Sequence, residues 1–376
     1  MNTKLTERQL RILVTLFIVG NSILFAPMIL ASEAKQDAWI ASLIGIAIGC
    51  LIGLIYLYLY QMYPNHSLVE ILEEVFGKWV GKIIGFSFFL FSFLLASIVL
   101  RNLGEFIVTE ILPETPIQFV LYLILLVVIM GGRYGIHVIG RSAEILFIFF
   151  FFLYILFVLF LTPQFHLENI QPMFEEGIKP IFRASLVYIG FPFLESVVFL
   201  MIFQDVQNVQ KIGRSFLMGI IIGGLMISFI TFLSILVFSA DFTARNIYAS
   251  YILGKKISIG NFIERIEAVM AIIWMITIFL KLSILYYVSV KSFKQIFQFN
   301  QYRFLIFPFG IIMIVVALIV YPNIAYIYLF TLRIWFFYVA SFGLLLPLIL
   351  IIGIKLKKAR WKKGHSNKGY SNNKTE

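Results

Sequence analysis

Apolar residues run along this chain in long blocks divided by short polar stretches; from Leu146 to Leu161 no side chain is ionisable except Tyr154. A helix needs roughly 20 mostly apolar residues to cross the hydrocarbon core. On that measure the blocks predict ten spans, at about 10–32, 38–62, 81–111, 116–134, 143–162, 181–204, 213–240, 262–290, 302–321 and 332–354. The first block is preceded by Lys4, Arg8 and Arg11, but no small-residue cleavage site follows, so it reads as a retained span. The expected architecture is an all-α polytopic membrane domain over 1–361 and a disordered basic tail over 362–376, rich in Ser, Asn, Gly and Lys. Ser67 followed by Glu70 is a capping box and predicts a short interfacial helix in the 63–80 connection. The outer stretches 163–180 and 240–261 are either lids or ordinary connections.

Two blocks are interrupted. Gly20-Asn21-Ser22 through Pro27 breaks the first, and Ile189-Gly190-Phe191-Pro192-Phe193, followed by Glu195, breaks the sixth. Such breaks free backbone groups that lipid cannot satisfy, and they survive where protein, ligand or cavity water takes up the bonds. Breaks at corresponding places in two repeats mark the substrate site of transporter-type folds. In that reading the amides of Asn21, Ser22, Ile23 and Leu24 face the carboxylate of an amino-acid-like ligand, helped by the positive end of a half helix. The backbone from Tyr188 to Phe193 closes the other side, with Phe191 and Phe193 as an apolar wall. Gly190 is expected to hold backbone angles that a β-carbon resists, and changes at Gly20 and Gly190 are expected to act alike. The alternative is that both glycines only allow close helix packing and the prolines only kink continuous helices.

Composition agrees with a membrane protein: 61% of the 376 residues are hydrophobic and 13% charged. Lys and Arg collect at both ends and in alternate loops, which with an even number of spans places both termini in the cytoplasm. The net charge of +11 is mainly this bias and a basic tail facing anionic lipid, so nucleic acid is not an expected partner. Cys50 is the only cysteine, and His66, His137, His166 and His365 are scattered. No metal-ligand spacing, no P-loop and no catalytic cluster appears, so neither a cofactor nor an enzymatic activity is expected.

Ionisable residues inside spans cost about 2.5–3.5 kcal/mol each on the insertion scale and call for partners. Arg101 and Glu105 lie four apart on one face of the third span, as a structural salt bridge or an outer gate. Glu195 follows the sixth-span break, and Lys281 lies past the middle of the eighth span at similar depth, where the two can pair structurally or couple to protons. Glu264, Arg265 and Glu267 form an outer cluster that snorkelling accounts for.

The segments Pro64-Asn65-His66-Ser67-Leu68-Val69-Glu70 with Gly77-Lys78-Trp79-Val80-Gly81-Lys82, and Arg101-Asn102-Leu103-Gly104-Glu105-Phe106 with Leu112-Pro113-Glu114-Thr115-Pro116, resemble those of the spore germination permease family. These are the B subunits of nutrient germinant receptors in endospore-forming bacteria. The resemblance implies relation to amino-acid/polyamine/organocation transporters, with a leucine-transporter-like core of two inverted five-span repeats, here about 10–162 and 181–321, and a further span at 332–354. It also implies A-type and lipoprotein C-type partner subunits in the inner membrane of the spore. The expected function is therefore sensing of a small nutrient, an amino acid, between spans one and six, with signalling to the partners. The alternative is a secondary active amino-acid transporter coupled to protons or cations; for a cation site the eighth span offers the hydroxyls of Thr277 and Ser283 near its middle, which is thin support.

Overall fold

A computed structural model describes residues 4–256, 266–322, 326 and 330–371. Among them, eight helical stretches are long and apolar enough to cross a membrane: Ser22–Met62, Lys78–Ile111, Ile117–Tyr134, Ile136–Gln164, Ile178–Met201, Val209–Phe238, Glu267–Ile296 and Arg333–Ala359. The difference from the ten expected has local causes. The first block is split, so its leading half, α1 (Glu7–Val19), has only 13 residues. Its second half, α2 (Ser22–Ala34), runs through a 3-10 turn at Lys35–Asp37 into α3 (Ala38–Met62) and counts with it as one stretch. The ninth block is an apolar helix of 17 residues, Arg303–Ile319. Glu264 and Arg265 of the expected outer cluster lie outside the described residues.

Helix starts follow capping chemistry. Thr6 with Gln9 caps α1, and Ser67 with Glu70 caps the interfacial helix α4 (Leu68–Phe76), each as a reciprocal capping box. Lys357 hydrogen-bonds Glu74 at 2.7 Å and holds its carboxyl below the ordinary range, tying α4 to the last helix, Leu346–Ser371. That helix passes the expected span end at 354 and carries the basic segment as helix to Ser371, where composition alone reads disorder from 362. The span supplies the nucleus that an isolated Lys-rich segment lacks, and propagation from it costs little. Residues 372–376 lie outside the described part.

Two groups of helices meet along α1. On one side α1, α2 and α3 pack with α8 (Ile178–Ile189) and α9 (Val209–Phe238); on the other, α5 (Lys78–Phe106), α6 (Ile117–Tyr134), α12 (Glu267–Ile296) and α13 (Arg303–Ile319) pack together, with α7 (Ile136–Leu161) against both α1 and α12. Small residues set the close approaches. Gly219 and Gly223 of α9 face Val14 and Ile18 of α1 so tightly that an added Cβ would come within 2.6 and 2.8 Å of them. Gly45, Gly49 and Gly53 make a ladder at four-residue spacing on α3 that receives Tyr188, Phe193 and Ile220.

The stretches expected on the outer side dock on the first-block hairpin. Phe174 N–H donates to Asp37 at 2.8 Å, and Lys35 pairs with Glu176. Two short helices, α10 (Ala240–Arg245) and α11 (Ala249–Lys256), pack on α2.

Candidate functional site

Both breaks exist, with different anatomy. In the first block α1 closes with Gly20 N–H bonded to Leu16 O at 2.9 Å, the chain turns at Gly20-Asn21, and α2 begins at Ser22. The interruption is shorter than expected, because Pro27 sits inside α2. Proline has no N–H for the carbonyl four residues back, which is Ile23. The Ser250 hydroxyl of α11 supplies the missing donor at 2.5 Å. In the sixth block α8 ends at Ile189, residues 190–193 form turns, and the chain resumes as a 3-10 helix, Leu194–Met201. Tyr56 of α3 donates to the Leu194 carbonyl at 3.2 Å. Side chains thus answer part of the backbone bonding that each break gives up.

The breaks meet at an ion pair. Lys281 Nζ of α12 lies 2.5 Å from Glu195 Oε2, with side chains 0% and 2% exposed. The lysine stem lies over Gly20, where a Cβ would stand 2.5 Å from Lys281 Cδ and 2.9 Å from Phe17 O. Its ammonium is 4.9 Å from the centre of the Phe17 ring, a cation–π contact. The helix ends favour both charges: the cation is near the C-terminus of α1, and the carboxylate lies in the first turn of the 3-10 helix. Trp335 of the last span turns its indole toward the same carboxylate. Asn21 Oδ1, Ser22 Oγ and Tyr188 OH are buried without partners.

Not every expected residue joins this group. Tyr188 and Phe193 stack edge to face at 5.5 Å and press into the α3 glycine ladder at Gly45 and Gly49, so their rings serve packing on α3. Phe191 faces Trp335 at 6.1 Å. Gly190 has ordinary right-handed helical angles, φ −61° and ψ −30°, contrary to the expectation of angles closed to a β-carbon; its nearest neighbours are Val187 O and Phe336 Cα. Ile23 and Leu24 are buried, with their carbonyls toward Ser250. Arg101 and Glu105 pair with each other at 2.5 Å, and Arg101 also reaches Leu318 O and the Tyr321 ring and so ties α5 to the end of α13.

Sequence reasoning missed Phe17, Trp335, Ser250 and a second ion pair, Lys291 with Asp205 at 2.5 Å. Lys291 also donates to Met201 O at 2.9 Å. A signal existed for this pair. Both partners lie ten residues beyond the first pair, 195 to 205 and 281 to 291, on segments that run the same way. The N-terminal residues strap this end of the segment: Leu5 N–H donates to Asp205 O at 2.8 Å and Gln207 N–H to Leu5 O at 2.9 Å.

The chain matches the spore germination protein family, the spore permeases, over residues 4–325. It is 29% identical to spore germination protein KB of Bacillus subtilis (strain 168), covering 96% of this chain and 97% of that protein. Spore germination protein GerLB of Bacillus cereus is 26% identical over 80% of this chain and 81% of its own length. Among solved structures, the nucleobase-cation-symport-1 family transporter Mhp1, closed with bromovinylhydantoin bound, superposes with a TM-score of 0.68 at 11% identity, over 92% of this chain and 79% of that one. MhsT in complex with L-phenylalanine gives 0.66 at 14% identity, over 92% and 97%. At such identities these two show the fold alone. From the N-terminal strap past the end of α13 the sequence carries the family's pattern on a leucine-transporter-like helical frame, and the chain belongs to the spore germination permease family, a group of multi-span membrane proteins that are receptor-like or transporter-like rather than enzymes.

Proposed function

We propose that this chain is the nutrient-sensing B subunit of a germinant receptor. In this reading it has ten spans on a core of inverted repeats, about 10–162 and 181–321, with a further span at 332–354 and both termini cytoplasmic in the inner membrane of the spore. A small nutrient, an amino acid, binds between the break at Gly20-Asn21 and the break after Ile189, and the bound state alters contacts with A-type and C-type subunits to start germination. The observation that carries the reading is the meeting of two broken segments at a buried, polar and under-bonded centre in a member of a germination family. The MhsT structure, which holds L-phenylalanine on the same fold, supports an amino acid as the ligand class.

A second reading is a secondary transporter that moves an amino acid with protons or cations, and the fold shared with a cation symporter favours it. Thermal stability of the purified chain against amino acids, sugars and nucleosides tests binding by mass action. Flux of the best ligand into liposomes then separates the two: binding with no flux is expected of a sensor, and concentrative uptake overturns it.

A further inference from the structure

Lys281 and Glu195 are opposite charges held in contact at the breaks, almost wholly out of solvent. Native proteins satisfy nearly all their buried polar groups. Here Asn21 Oδ1 and Ser22 Oγ at the first break and Tyr188 OH at the second are buried without a partner, which points to polar partners supplied from outside the chain. Parting two buried charges is strongly unfavourable unless each gains a new counter-charge.

We propose that the pair is a charge-exchange site for a zwitterion, whose ammonium takes the place of Lys281 at Glu195 while its carboxylate takes the Lys281 ammonium and the amides that open α2. The proposal rests on the reading that the ligand enters between the two breaks, and it names the chemical class that reading admits. One pair becomes two, and no charge is left alone. A monoanion would leave Glu195 without a cation, and a monocation would leave Lys281 without an anion. A sugar or nucleoside would part the charges and replace neither. Lysine suits the exchange: its stem passes over Gly20 and leaves the ammonium at the end of a flexible chain, with the Phe17 face beside it at 4.9 Å. The start of α2 adds free N–H groups and the positive end of a helix for the carboxylate.

The test uses the full-length chain in lipid-free detergent, with thermal stability as the readout. The probes are each common L-amino acid, glucose, adenosine, and glycerophosphoethanolamine as the headgroup of a zwitterionic lipid. Each stabilising amino acid is then compared with its carboxamide and its deaminated acid, which each lack one charge. The expected result is stabilisation by at least one amino acid and a loss of at least about 30-fold in affinity on removing either charge. A similar loss is expected in the neutral pair Glu195→Gln with Lys281→Met, whose unliganded transition reports its folding separately. If an amino acid binds and either singly charged analogue or the neutral pair keeps its affinity, charge exchange is overturned and the break reading stands. If only the lipid headgroup stabilises, a zwitterion site stands and the nutrient reading falls. If only glucose or adenosine stabilises, or nothing does, both fall.

Discussion

A β-carbon at position 20 would stand 2.5 Å from Lys281 Cδ, whereas one at position 190 meets Val187 O at 3.2 Å and Phe336 Cα at 3.4 Å. The two glycines therefore do different work. Gly20→Ala should displace the lysine stem and abolish the nutrient response, and Gly190→Ala should leave a response with a small shift in dose; germination of spores carrying each variant, at matched protein abundance, measures this. Equal effects would show that position 20 has no special tie to the ion pair. In sequence the two residues look alike, because a glycine inside an apolar block announces room or a break without saying which neighbour comes close. Ion-pair energetics give a second expectation at this scale. Glu195→Gln should cost about 3–5 kcal/mol of stability by leaving Lys281 buried without its counter-ion, and adding Lys281→Met should recover part of it. Thermal unfolding of the single and double variants reads the coupling, and simple additivity would mean that the two side chains do not act together.

At the scale of elements, the sixth segment and α12 are joined twice, at Glu195–Lys281 and at Asp205–Lys291. The second join also carries the Leu5 strap through the Asp205 carbonyl. Lys291→Met should loosen that end, raising hydrogen exchange at the Leu5 and Gln207 amides by about tenfold or more while exchange in α9 stays as it was. Unchanged exchange would show that the strap holds without the lysine. The breaks and the capping boxes were legible along the chain because Gly, Pro, Ser and Glu act on their own backbone. Tertiary partners were not: Lys291 reads as one more cytoplasmic charge until α12 is laid beside the sixth segment, and the rings of Tyr188 and Phe193 read as site walls until the α3 ladder receives them. Ser250 shows the same limit, since its acceptor is a carbonyl 227 residues away.

For the whole molecule, the distribution of Lys and Arg predicts which face is which. With Cys50 replaced by Ser, a cysteine at Ser371 should be labelled only from the cytoplasmic side and a cysteine at Asn246 only from the other. Labelling of both from one side would overturn the ten-span model, which puts three spans between the two positions. Membrane class and block order were legible from hydropathy alone; the span count was less so, because a broken block and a 17-residue helix each fall short of a full crossing by length.

The buried pair also constrains how the chain is made. Glu195 leaves the ribosome 86 residues before Lys281 (281 − 195 = 86). At bacterial and eukaryotic elongation rates that is roughly 4–17 seconds during which the sixth segment has to enter the bilayer with an unmatched carboxyl group. The segment is then a weak inserter on its own and is completed by a partner not yet synthesised. Chains truncated after Met201 should accordingly insert this segment poorly and improve with Glu195→Gln, the same change that weakens the finished protein. The acid that seats Lys281 in the folded chain is a burden on the nascent one, so correct biogenesis depends on holding the sixth segment near the insertion site until the eighth arrives.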